Sequence, residues 1–130
     1  MPVKLGSPFE EDLLRTWTEY RRRGIADVVP FPPEFVVLSR SGSRAMGYFK
    51  EKAYFDYVGV MVGSGRAVAA EAKSTREPIL RFNSAGLKSH QIEALVRWGA
   101  AGAFVLVLWQ HAGQVVSVSS ERLRELVESG

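Results

Sequence analysis

The residues able to do chemistry in this chain concentrate between positions 56 and 93. Asp56 sits inside an apolar run, Tyr54 to Val62, and Glu71-Ala72-Lys73 ends the next one. His90-Gln91-Ile92-Glu93 then opens a stretch of helical spacing. Two carboxylates on one surface repel each other unless a proton or cation stands between them. Oxygen donors favour Mg²⁺ or Mn²⁺, which take a few carboxylates plus water and substrate phosphate. A lysine two residues beyond the second acid is placed to neutralise charge building on a phosphodiester. The pattern points to divalent-metal hydrolysis of phosphodiesters. The competing reading is an exposed Glu-Lys alternation beside an unrelated Asp, since a lone E-x-K is a frequent accident. The preceding acid and the apolar surroundings weigh against it.

The three groups must share a face for this chemistry. If Tyr54–Val62 and Arg66–Lys73 form a hairpin with an even loop centred on Ser64-Gly65, Asp56 lies opposite Lys73 and Val58 opposite Glu71. Asp56, Glu71 and Lys73 then point to one side, while Tyr57, Gly59, Val68, Ala70 and Ala72 form an apolar underside for a helix. A one-residue slip would separate Asp56 from the other two.

Supporting groups come from two helices. Ser7-Pro8-Phe9-Glu10 is a helix start, with Ser7 as cap, Pro8 at the first position and Glu10 closing a capping box. At about 100° per residue, Phe9, Leu13, Trp17 and Tyr20 form one stripe. Glu10 falls on the core side and Glu11 toward solvent, so Glu10 is the third candidate carboxylate, with capping as its rival role. Gln91 stands at a helix start, where N–H groups favour phosphate; the rival is a solvated first-turn glutamine. His90 is read as a surface histidine with phosphate contact as the alternative. His111 falls in a turn with no ligand spacing to His90. Arg21, Arg22 and Arg23 read as a solvated helix end.

The elements around these groups follow from periodicity and breakers. After the first helix, Pro30, Pro32 and Pro33 prevent another, and Phe35–Leu38 reads as a short strand. Ser39 to Ala53 has the composition of an exposed basic connection. Ser74–Lys88 is a polar loop, and His90–Trp98 a helix with Ser89 as cap and Gly99 as stop. Ala103–Trp109 and Gln114–Val118 are strands about a turn at His111-Ala112-Gly113. Ser119 or Ser120 caps a last helix with Leu123, Leu126 and Val127 facing inward. The expected order is α-β-β-β-α-β-β-α, in one domain spanning 1–130.

Composition sets outer bounds. The chain has 130 residues, 46% hydrophobic and 24% charged, with net charge +3 and pI about 9.4. Its cations are mostly arginine, which suits phosphate. There is no cysteine, which excludes disulfides and zinc-thiolate sites. No apolar run approaches the ~20 residues that span a bilayer, and the first residues lack a signal-peptide core. An intracellular, cytoplasmic setting without membrane attachment is expected. Asn83 as the lone asparagine hints at a heat-adapted source.

Together, Tyr54-Phe55-Asp56-Tyr57-Val58-Gly59-Val60, Glu71-Ala72-Lys73-Ser74-Thr75, His90-Gln91-Ile92-Glu93 and the early Gly6-x-x-x-Glu10-Glu11-Asp12 resemble the PD-(D/E)xK nuclease superfamily. More narrowly they resemble its RecU-type Holliday junction resolvases. The resemblance implies an α/β, restriction-endonuclease-like αβββαβ core with a mixed central sheet, an extra strand and a C-terminal helix. It implies a homodimer that binds a four-way junction and nicks two strands symmetrically with Mg²⁺ or Mn²⁺. It carries Asp56, Glu71 and Lys73 over as catalytic, with Gln91 and Glu10 in support. Asp56, Glu71 and Ala72 become the metal ligands. Residues 39–53 match the projection that enters the junction centre, with Arg40, Arg44, Lys50 and Lys52 for phosphates and Arg76, Lys88 and His90 as further DNA contacts.

This chain departs from that pattern in three ways. It is short, for which a phage-encoded form is one reading. It lacks the basic N-terminal extension, so no recombinase partner is inferred. Phe55 replaces a common threonine beside the acid. The rivals are another nuclease of the superfamily (restriction-type, mismatch or flap) and a non-catalytic DNA-binding module.

Overall fold

The computed structural model describes residues 8–31, 35–49, 55–82 and 86–128. Ser7, Lys50, Lys52, Tyr54 and Asn83 lie outside these. The elements are α1 (Pro8–Arg22), β1 (Ala26–Pro30), β2 (Phe35–Ser41), β3 (Arg44–Phe49), β4 (Tyr57–Met61) and β5 (Ala67–Thr75). They continue with α2 (Ser89–Ala100), β6 (Phe104–His111), β7 (Gln114–Ser119) and α3 (Ser120–Glu128). Five strands make one sheet in the order β1-β4-β5-β6-β7, and β2-β3 form a separate two-stranded sheet. β5 and β6 are parallel and the other neighbours antiparallel, so the central sheet is mixed.

The expected αβββαβ core is present, but its first strand is not where the sequence pattern suggested. That strand is β1, a five-residue segment ending in Pro30. Proline is tolerated there because β1 is an edge strand. Phe35–Leu38 belongs instead to an inserted hairpin, and the segment from Ser39 is part of that hairpin rather than an irregular connection. The hairpin register shifts between Val37 and Ser39, leaving Leu38 as the extra residue of a bulge.

β5 explains how both faces of the sheet are covered. Val68, Ala70 and Ala72 pack with Phe9, Leu13 and Trp17 of α1, joined by Val28 and Tyr57. Ala69 packs on the opposite side with Ile92, Leu95, Val105, Val107 and Leu123, beneath α2 and α3. Each fully buried large apolar side chain contributes about 1.5–3 kcal/mol. α1 ends where Gly24 takes φ 70° and Ile25 N–H bonds the Tyr20 carbonyl at 2.9 Å. Gly59 is required where β4 passes β1, because a Cβ there would lie 2.1 Å from the Asp27 carbonyl oxygen.

The β4–β5 register pairs Tyr57 with Ala70, Val58 with Ala69 and Val60 with Ala67. Continued by one residue, it sets Asp56 level with Glu71, not with Lys73. The turn over Val62–Arg66 is wider than a centred two-residue loop, with Gly63 and Gly65 at positive φ and Met61 N–H bonded to the Arg66 carbonyl. The difference of two residues is even, so the expected face assignment survives it.

Two helix ends also differ from the sequence reading. Lys88, not Ser89, is the cap position of α2, and the helix runs past Gly99 to Ala100. Ser119 does cap α3, its hydroxyl accepting the Arg122 N–H at 3.2 Å. Only Leu123 of the α3 stripe is buried; Leu126 and Val127 are 36% and 47% exposed. α3 lies over α2 and the β6–β7 edge, a footing that reaches Leu123 but not the next turn.

Candidate active site

Asp56 precedes β4 at a bend, Glu71-Ala72-Lys73 lie in the second half of β5, and Gln91 is in the first turn of α2. Two hydrogen bonds lock the acids together. The Asp56 N–H donates to Glu71 Oε2 at 3.0 Å, and the Ala72 N–H donates to Asp56 Oδ2 at 2.9 Å. Phe55, just before Asp56, is 1% exposed and stacks edge-on against Phe31 and Trp98. The residue standing where a threonine is common therefore anchors the chain that carries the acid.

Glu71 is 1% exposed, an unusual place for a carboxylate. Burial raises its pKa to about 8, and the neighbouring Asp56 charge pushes the same way. Lys73 opposes this, with Nζ 3.8 Å from Glu71 Oε1. Gln91 completes the set. Its side-chain carbonyl accepts the Lys88 N–H at 3.1 Å, which turns its amide NH₂ toward Glu71 Oε1 at 3.3 Å. The helix cap and the support of Glu71 are thus the same side chain.

Glu10 is an exposed residue of α1, the helix that packs on the sheet face opposite α2. It still acts on the site region: the Tyr57 phenol is raised to about 12 by burial first, then by Asp56, Glu10 and Glu71. Tyr57 is the point at which the three carboxylates are felt together, a position that periodicity marked only as apolar underside.

A divalent cation fits this donor set. Among the described residues no three His, Cys, Asp or Glu side chains converge as a ready ligand cluster. A cation would be held by the Asp56 and Glu71 carboxylates with the Ala72 carbonyl, the remaining positions falling to water and substrate, as Mg²⁺ prefers. A buried acid that resists ionising beside a second acid is the electrostatic situation that a cation relieves.

Other candidate residues are distributed around this centre. Lys88 and His90 are exposed at the α2 start, and Arg76 is exposed just beyond β5. Arg40 and Arg44 are exposed at the tip of the β2–β3 hairpin, flanking its Gly42-Ser43 turn. Arg21 pairs with Asp27, and Arg22 and Arg23 with Glu19, so this run is a solvated helix end as read.

The structure also adds neighbours that the sequence reading left out. The parallel register sets Lys73 beside Trp109 and Thr75 beside His111 on the face that carries Glu71. Trp109 Nε1 donates to Thr75 Oγ1 at 2.7 Å, and His111 Nδ1 meets the Thr75 carbonyl at 3.3 Å. Only the pairing of segments 36 residues apart reveals this, and local spacing carries no signal of it.

The mixed five-stranded sheet with helices on both faces matches the fold of a resolvase-type nuclease. The sequence model of the RecU family, described as Recombination protein U, matches residues 4–130. The chain belongs to this family of Holliday junction resolvases, endonucleases that act on branched DNA and generally use a divalent metal. In structure it is similar to Hjc of Archaeoglobus fulgidus, a Holliday junction resolvase from an archaeal hyperthermophile. That likeness has TM-score 0.51 and 20% identity, covering 89% of this chain and 78% of the other. A looser likeness is to SSO0001, with TM-score 0.39 and 12% identity over 95% and 60% of the two chains. No curated protein matches in sequence. Among the described residues no helix is long and apolar enough to cross a membrane.

Proposed function

We propose that this chain resolves four-way DNA junctions as a homodimer, nicking two strands symmetrically with Mg²⁺ or Mn²⁺, through Asp56, Glu71 and Lys73. The observation that supports it best is the buried Glu71 carboxylate locked to Asp56 and flanked by Lys73 and Gln91. A structural ion pair does not call for two acids facing each other, and burying one of them costs stability.

Asp56 and Glu71, with the Ala72 carbonyl, would hold the cation. When bound, it supplies positive charge against the scissile phosphate and lowers the pKa of water at that point. Glu71 is kept in position by its bonds to the Asp56 N–H and the Gln91 amide. Lys73, about one quarter exposed, reaches from the Glu71 edge toward solvent, where it meets the charge that grows on the phosphoryl oxygens. The α2 N-terminus adds backbone N–H groups and its dipole beside the same phosphate.

The β2–β3 hairpin is the projection in this reading. It presents Arg40 and Arg44 for phosphates, with Leu38 and Met46 at 73% and 72% exposure for base contact. Arg76, Lys88 and His90 extend the phosphate track around the site.

The test is cleavage of labelled four-way junction, linear duplex, flap and single strand in Mg²⁺, with nicks mapped. Paired symmetric nicks in the junction are expected, and Asp56→Asn should abolish them while DNA binding persists. Wild-type cutting by Asp56→Asn overturns the site assignment; preference for flap or duplex overturns the substrate.

A further inference from the structure

We propose that the apolar cavity beside Lys73 receives an unpaired base of the bound DNA, which stacks on Trp109. The proposal rests on the nuclease reading above for its ligand. It adds a site for one nucleotide next to the phosphate that is cut.

The cavity measures about 310 Å³ and lies between β6, β7, α3 and the segment that leads into α2. Its floor is Leu87, Val107 and Leu123, each 1% exposed or less, and Phe82, Trp109 and Val118 stand higher on its walls. The parallel register fixes where it sits. Val107 pairs with Glu71 and Trp109 with Lys73, and paired strands run about 4.8 Å apart. On another side, Leu87 is followed directly by Lys88, whose N–H the Gln91 side chain accepts. The cavity therefore begins one strand spacing from the Glu71-Lys73 row, with Lys73 and Lys88 at its borders.

Two of its walls are fixed from within the chain. Trp109 Nε1 donates to the Thr75 hydroxyl at 2.7 Å, and that hydroxyl donates in turn to the Glu77 carbonyl at 2.7 Å. The His111 ring stacks on the indole at 6.2 Å between centroids and 28° between planes, and Nδ1 meets the Thr75 carbonyl at 3.3 Å. The one polar atom of Trp109 is thus satisfied, and what the ring has left to offer is its π surface. Phe82 lies on a tightly closed segment. The Leu87 N–H donates to the Arg81 carbonyl at 2.8 Å, and a Cβ on Gly86 would lie 2.1 Å from that same oxygen. Walls held in place before the ligand arrives lower the cost of binding it.

A nucleobase fits these walls and their borders. The volume is at the lower end of small-molecule sites. Among the described residues, the indole nitrogen is the only polar side-chain atom on the lining. The cavity would therefore take a base by its face, which every base presents, rather than by its hydrogen-bonding edge. Phe82, 39% exposed, marks an open side where that edge keeps its water. The phosphates on either side of the base would meet Lys73 and Lys88. An apolar side chain of another protein would fill the same volume but would gain nothing from cations at the border. A base that has already lost a stacking neighbour, as at a branch point, is the least costly to turn out.

The test is binding of four-way junction to the full chain in EDTA, with a single abasic spacer placed at each nucleotide near the branch point in turn. At one position the spacer should weaken binding by the wild type about 10-fold. Trp109→Leu removes the stacking surface, and Val118→Phe fills the cavity from another wall. Each should weaken binding of the intact junction by about the same factor, yet bind the junction with that spacer as the wild type does. That equality also shows that the variants are folded. Spacers without effect at every position, or variants that lose equally on intact and spacer junctions, overturn the proposal and leave the cavity a feature of packing. Nicking of the intact junction in Mg²⁺ is scored separately. Base-dependent binding without nicking removes the nuclease reading and keeps the cavity site, nicking without base dependence does the reverse, and failure to bind the junction removes both.

Discussion

Replacing Glu71 with Gln should destroy activity and stabilise the protein, and the sign of the stability change should depend on pH. Glu71 titrates near 8 in the folded chain rather than at its ordinary value of 4.5, because it is buried and faces Asp56. Its folded pKa lies above its unfolded one, so the native state keeps a proton that the unfolded state releases between these values. The stability this group contributes is fully present below about pH 4.5 and is lost as pH rises through about 8. At pH 7 the wild type is penalised by about 3 kcal/mol relative to a neutral group at this position. Glutamine removes that penalty. It offers one acceptor oxygen where Glu71 receives hydrogen bonds from both the Asp56 N–H and the Gln91 amide, a loss of about 1 kcal/mol.

The net expectation is a gain of about 2 kcal/mol at pH 7, or roughly 5–10 °C in Tm for a chain of this size. Near pH 4.5 the gain should vanish or reverse. Thermal melts in EDTA at several pH values measure it. Added Mg²⁺ should raise the wild-type Tm and leave the variant unchanged, because a ligand that binds only the native state stabilises it. A Glu71→Gln variant destabilised equally at pH 4.5 and pH 7 would refute the reasoning. Glu71 would then be an ionised structural partner of Lys73 rather than a strained acid awaiting a cation.

Lys73→Ala should cost roughly 10²-fold in kcat for junction nicking with little change in DNA affinity, because the ammonium acts on charge that develops in the transition state. Single-turnover nicking beside gel-shift binding separates the two; equal loss in both would reassign Lys73 to binding. Gly59→Ala should destabilise by about 3 kcal/mol in urea unfolding, since its Cβ would collide with the β1 backbone. Arg40→Ala with Arg44→Ala should weaken junction binding more than duplex binding, lowering the salt slope by about one for each phosphate left unneutralised. Competition binding at two salt concentrations measures this, and equal weakening on both DNAs would show that the hairpin tip does not select junctions.

The sequence by itself determined which residues share a face of the β4–β5 pair, though not which stand opposite one another. Side chains alternate along a strand, so Asp56, Glu71 and Lys73 had to share a face under any register of the right parity, and a two-residue error left them together. It also determined the α1 stripe of Phe9, Leu13 and Trp17, because helical periodicity survives without knowledge of the partner surface. The cap of α3 was legible to within one residue, Ser119 or Ser120, because capping is local, and the structure selects Ser119.

Only the tertiary structure decided what depended on distant segments meeting. β1 is five residues long with a proline, too short for a periodic signal, and it is a strand because β4 offers it an edge. The segment around Arg40 and Arg44 reads as a polar connection. It becomes a hairpin through pairing that leaves Leu38 and Met46 exposed, against the usual hydrophobic pattern. The role of Gln91 required knowing that the start of α2 abuts Glu71, 20 residues earlier in the chain. The burial that lifts the Glu71 pKa belongs to no local segment, since it arises where β4, β5 and α2 converge. The exposed half of the α3 stripe looked like core because an amphipathic pattern specifies an apolar face but not what covers it.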